Sequence, residues 1–95
     1  MLTIYKYKLN IHGEQIIELP GVGRILHVGV QNKVPYVWCE VDVQTPVVRT
    51  PEKKYLHIFQ TGEEIPREII NQRKYIGTFL IDGGDYVGHV YQIIR

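Results

Sequence analysis

Between Val34 and Val43 the chain alternates without a break. Val37, Cys39, Val41 and Val43 fall on one side, and Tyr36, Trp38, Glu40 and Asp42 on the other. A period of two marks a β-strand with one face buried. The first set is an apolar core face. The second runs from aromatic to acidic, so it passes from covered to wet along its length. The rest of the chain fits the same reading. Val, Ile, Thr, Tyr, Phe and Trp supply 39 of the 95 residues, and alanine and serine are both absent. Such a chain does not build helix bundles, coiled coils or helical repeats, which draw on Ala, Leu and Glu.

Six further segments read as strands: Thr3 to Leu9, Glu14 to Leu19, Arg24 to Gln31, Lys53 to Gln60, Lys74 to Ile81 and Tyr86 to Ile94. Turn signals separate them. Pro20-Gly21-Val22-Gly23 reads as a turn in which proline presets φ and glycine supplies a positive φ. Asn32-Lys33 and Asp82-Gly83-Gly84 read as hairpin turns. Pro66 to Gln72 suits one or two helical turns. Thr45 to Pro51 reads as an extended arm that exposes Val47 and Val48. The expected fold is a single all-β domain over residues 1–95. It is an antiparallel sandwich or partly open barrel of about seven strands, with one short helix near 66–72. A sheet protein of this size is expected to cover part of itself with a second copy, as a homo-oligomer.

Several functions are excluded at once. There is no serine nucleophile, and one cysteine cannot form an intrachain disulfide or a cysteine-rich zinc site. No apolar run reaches the roughly 20 residues of a membrane helix. The segment Met1 to Lys6 lacks a signal-peptide layout, so the expected location is the cytoplasm. A net charge of +1, with ten acids among eleven bases, favours a solvated strand face over a phosphate track, so nucleic acid is not the expected partner.

The titratable residues give little local chemistry. His27, His57 and His89 lie on three different strands with no HxH or HxxxH spacing, so no metal and no cofactor is expected. By strand parity His27 falls with Ile25, Gly29 and Gln31. His57 falls with Tyr55 and Phe59, and His89 with Val87, Tyr91 and Ile93. Cys39 lies on the apolar side of its strand and reads as an inert core residue. Glu40/Asp42 and Glu63/Glu64 read as solvated pairs, not as a catalytic acid and base.

The rings carry more weight. Tyr36, Trp38, Tyr55, Phe59, Tyr75 and Tyr91 are too many for a minimal core, so some form a second surface. Rings with neighbouring cations and amides make a stacking platform for a planar ligand. The residues that complete it are Arg24, His27, Gln31, Thr61, Gly62, Arg67, Thr78 and His89. The same rings would equally serve a dimer interface.

An ordered set of short motifs points further. Ile4-Tyr5-Lys6-Tyr7 opens the chain. Ile17-Glu18-Leu19-Pro20, Ile25-Leu26-His27-Val28, Trp38, Thr61-Gly62, Tyr75-Ile76-Gly77-Thr78, Gly83-Gly84 and His89-Val90 follow in order. This pattern resembles a widespread family of small, uncharacterised bacteriophage and prophage proteins, over nearly the whole chain. Gln60 stands where many members have glycine. The resemblance implies a phage accessory protein made in the bacterial cytoplasm. The expected function is non-enzymatic: it counters host antiviral defence by sequestering a nucleotide-type signalling molecule. In that reading Trp38 and tyrosines stack on the base, Arg24 or Arg67 faces phosphate, and Gln31, Thr61, Thr78 and His89 bond to the ligand. The alternatives are an inhibitor that binds a host defence protein and, third, an enzyme that degrades the signal.

Overall fold

The computed structural model describes residues 1–43 and 51–95. Seven strands form: β1 (Leu2–Lys8), β2 (Gly13–Leu19), β3 (Gly21–Gln31), β4 (Val34–Val43), β5 (Glu52–Gln60), β6 (Arg73–Ile81) and β7 (Tyr86–Ile93). They build two antiparallel sheets, of order β1-β4-β3 and β2-β5-β7-β6. The chain changes sheet between β1 and β2, between β2 and β3, and between β4 and β5. The hairpin strand β7 inserts between β5 and β6. The sheets pack as a flat sandwich with extents of 45 × 33 × 16 Å. The shortest extent suits two layers about 10 Å apart.

The core lies between the sheets. From one side come Val28, Val37, Cys39 and Val41. From the other come Ile17, Leu19, Leu56, Ile58, Phe79 and Val90. Each fully buried aliphatic side chain contributes roughly 1.5–3 kcal/mol. Burial pushes the Cys39 thiol up to about 11, as expected for an inert core cysteine.

One local reading changes. Gly21 and Gly23 are not turn glycines; they pair inside β3 with Val43 and Val41. A Cβ on Gly21 would lie 2.1 Å from the Asp42 carbonyl oxygen, and one on Gly23 would lie 2.6 Å from that of Glu40. Close approach of two backbones selects these glycines, and β3 starts three residues earlier than the sequence suggests. The helix near 66–72 is a single 3₁₀ turn, Arg67–Ile69. The hairpin at Asn32-Lys33 forms with both residues at positive φ, 50° and 65°, as a two-residue primed turn requires. The expected arm over 45–51, with Val47 and Val48, lies outside the described residues but for Pro51.

Among the described residues no helix is long and apolar enough to cross a membrane.

Candidate functional site

Residues opposite one another across a ladder share a face. The register therefore assigns each side chain outside the core to one of two outer faces, and it divides the expected platform between them.

The outer face of β1-β4-β3 holds Arg24, His27, Gln31, Tyr36 and Trp38. Lys6 and His27 flank Trp38, Lys8 and Gly29 flank Tyr36, and Ile4 and Arg24 flank Glu40. His27 reaches this face through a bulge. Sequence parity groups it with Ile25, but the ladder slips between Ile25 and His27 and turns His27 outward beside Trp38, with ring centroids 6.0 Å apart. Trp38 lies down across β3 because Gly29 has no side chain; a Cβ there would sit 3.1 Å from the indole. Lys6 crosses the Tyr36 ring at 4.5 Å and donates to Gln31 Oε1 at 2.8 Å.

The outer face of β2-β5-β7-β6 holds Thr78 and His89, with Thr61 at the end of β5. Rows across this sheet run Ile16–Tyr55–Ile93–Arg73, then Glu14–His57–Tyr91–Tyr75, then Phe59–His89–Thr78. A second bulge, between Tyr75 and Gly77, keeps Tyr75 and Thr78 on the same face although three positions separate them. His57 stacks on Phe59 at 4.0 Å, Phe59 meets Tyr91 edge-on at 5.9 Å, and Tyr91 meets Tyr75 at 5.5 Å. This layer buries its own apolar members. Phe59 is 2% exposed and Ile93 4%, although both stand outside the core.

His89 is fixed at both ring nitrogens. Thr61 Oγ1 lies 2.7 Å from Nε2 and Thr78 Oγ1 lies 3.0 Å from Nδ1, while Tyr75 Oη lies 2.5 Å from Thr78 Oγ1. In a neutral imidazole one nitrogen donates and the other accepts, so both threonines are satisfied. Burial holds His57 below its ordinary 6.5, against the opposing pull of Glu14 and Glu63. His27 is on the opposite face, so the three strand histidines do not converge. Among the described residues no group of three His, Cys, Asp or Glu side chains is placed to hold a metal.

Two adjoining clefts, of about 390 and 250 Å³, open beside this layer and share Tyr55, Ile93 and Arg95. Glu14 and Ile16 border the first, and Lys53 and Lys54 the second. The Arg95 guanidinium lies 4.8 Å over the Tyr55 ring and that of Arg73 lies 5.7 Å over Tyr91. Among the described residues neither arginine has a carboxylate partner. Lys54, by contrast, is tied to Glu52 at 2.7 Å. Thr61 also lines a third cleft of about 270 Å³, with Gln60, Gly84 and Tyr86.

Gly62 occupies the turn after β5 at φ +88°, and Arg67 the 3₁₀ turn that follows, where it is exposed. Of the ten expected site residues, then, five share the Trp38 face, three form the His89 group, and two stand on the β5–β6 connection. The sequence does not single out Arg73 and Arg95. Their only local signal is a cation two residues from Tyr75 or Ile93, and strand order decides which face those residues share.

A family model described as Domain of unknown function (DUF7352) matches residues 1–94. No curated protein and no solved structure matches the chain.

Proposed function

We propose that this chain, which belongs to the DUF7352 family, is a non-catalytic binding protein that sequesters a nucleotide-type ligand. The ligand lies on the outer face of the four-stranded sheet. One observation carries this reading. Two guanidiniums without carboxylate partners among the described residues lie over tyrosine rings of one sheet face, Arg73 over Tyr91 and Arg95 over Tyr55, and the Arg95–Tyr55 pair lines a cleft of about 390 Å³. A nucleotide calls for a π face beside a cation. Base–aromatic stacking contributes about 1–3 kcal/mol per base, and the guanidinium fork matches phosphate oxygens in pairs. Tyr55, Tyr75 and Tyr91 supply the rings, Arg73 and Arg95 the cations, and the Thr61–His89–Thr78 group a rigid polar margin. The volume falls within the range of about 300–1,000 Å³ usual for small-molecule sites.

His89 is engaged at both nitrogens, which supports holding a ligand over transforming it. The resemblance to bacteriophage and prophage proteins supports the setting: a ligand withheld in this way is a nucleotide signal of host antiviral defence. This departs from the sequence reading in placing the base on the tyrosines of the four-stranded sheet and not on Trp38.

The test is a thermal-shift screen against cyclic and linear nucleotides, run on the wild type and on Arg73→Ala/Arg95→Ala. Ligand at 100 times Kd adds about 2.7 kcal/mol, or roughly 11–22 °C for a domain of this size. A shift by one nucleotide class is expected, lost in the double variant, with unaltered nucleotide recovered after denaturation. No shift with any nucleotide, or an undiminished shift in the double variant, would overturn the proposal. Recovery of a cleaved product would replace it with an enzyme.

A further inference from the structure

We infer that the outer face of β1-β4-β3 docks a second copy of this chain about a two-fold axis, with Arg24 of each copy bonded to Glu40 of the other. On the outer face of the four-stranded sheet the exposed aliphatic residues, Ile16 and Leu80, stand apart on the two edge strands β2 and β6. The four-stranded sheet covers Phe59 and Ile93 with its own rings. The three-stranded sheet leaves Leu2 66%, Ile4 59% and Val22 59% exposed. These three are not scattered. Leu2 and Val22 flank Asp42 in one row, Ile4 flanks Glu40 in the next, and Trp38 stands in the row beyond. A contiguous patch of this kind marks an interaction surface, and Trp, Tyr and Arg are the residues enriched at such contacts.

The charges select the occupant. An isologous contact requires a patch complementary to itself. A patch of one sign repels its own copy. Here Arg24 and Glu40 stand directly opposite on β3 and β4, one of each sign, inside the apolar surround. Within the chain they make a single long contact, Nε to Oε1 at 3.4 Å, and the Arg24 side chain is 73% exposed. A two-fold axis between them gives each guanidinium the other copy's carboxylate, while the apolar patches meet around the pair. The neighbouring charges are already engaged: Lys6 donates to Gln31, and Asp42 accepts from the Met1 amino group at 2.8 Å. The pair at the centre of the patch is Arg24–Glu40, held within the chain by that one long contact.

The test is sedimentation equilibrium on the wild type, Arg24→Glu, Glu40→Arg and the double swap. The wild type should dimerise. Each single swap should weaken the dimer at least tenfold, because like charges then meet across the axis, and the double swap should restore it. Ile4→Lys, on the same patch but outside the ion pair, should also weaken it. Circular dichroism checks that each variant folds, which the exposure of Arg24 and Ile4 favours. A wild type that stays monomeric at about ten times the concentration usual for a micromolar complex would overturn the inference. So would single swaps that dimerise like the wild type, or a double swap that fails to recover. A monomer that instead binds a different protein through this face would overturn it as well. Arg24→Glu should leave the nucleotide-induced shift intact, so the two proposals fail separately.

Discussion

Gly88 offers the sharpest test of how the two sheets pack. It lies on the inner side of β7, directly opposite Phe79 on β6. A Cβ added there would sit 2.3 Å from Cζ of the Phe79 ring, 2.5 Å from Cε1 and 2.9 Å from Cε2. Ordinary carbon contacts begin at about 3.5 Å, so the ring would have to retreat by roughly 1.2 Å. It has little room to do so. Phe79 is 2% exposed, and Tyr86 stacks on it with centroids 6.0 Å apart. Overpacking of this kind costs about 1–3 kcal/mol. A domain of this size loses about 4–8 °C of Tm per kcal/mol, so Gly88→Ala should lower Tm by about 8–16 °C at the middle of that range. Thermal unfolding followed by circular dichroism measures it. Leucine at position 79 has no atoms where the clash occurs. Gly88→Ala should therefore cost less in a Phe79→Leu background than in the wild type, an interaction energy of about 0.5–3 kcal/mol. A Tm for Gly88→Ala within about 2 °C of the wild type, or strictly additive effects in the double variant, would refute the packing argument.

Other consequences are simpler. The Cys39 thiol, buried and pushed up to about 11, should resist thiol reagents at neutral pH in the native protein and react at once in denaturant; fast native labelling would contradict its placement. Burial depresses His57 below 6.5, so the unfolded chain binds its proton first and stability should fall as pH drops below about 6.5. The Gln60 N–H and His12 hold Glu63 below 4.5, and that contribution should persist above 4.5 and vanish as pH falls through the lower folded value. Urea midpoints measured across this range should show both losses, and Glu63→Gln should remove the more acidic one and deepen the other, because Glu63 pulls His57 upward. Lys33 sits at φ 65° in the β3–β4 turn, so Lys33→Gly should stabilise the fold by about 0.5–1 kcal/mol, read as a higher urea midpoint.

The strands were legible because their signal is local. Alternation in Val34–Val43 assigned Val37, Cys39 and Val41 to the core, and all three are fully buried. Parity also grouped His57 with Tyr55 and Phe59, and His89 with Tyr91, as the ladders do. Two kinds of information were not local. Bulges break parity: the one between Ile25 and His27 moves His27 from the core side to the Trp38 face, and no residue between them announces it. Strand order is the other. Insertion of β7 between β5 and β6 places Tyr91 between His57 and Tyr75, and the assignment of β4 and β7 to different sheets sends Trp38 and His89 to opposite faces. Ten residues that read as one platform are therefore divided, because pairing across a sheet depends on the whole chain. Gly21 and Gly23 show a third limit. A glycine chosen for a positive φ and one chosen to let two backbones approach look alike in a sequence.

The most direct test of the central claim is chemical-shift mapping of the isotopically labelled protein titrated with the nucleotide that gives the largest thermal shift. The expected perturbations cluster on β5, β6 and β7, at the amides of Tyr55, Arg73, Tyr75 and Tyr91, and at Arg95. Perturbations confined to β1, β3 and β4 around Trp38, or none at saturating nucleotide, would contradict it.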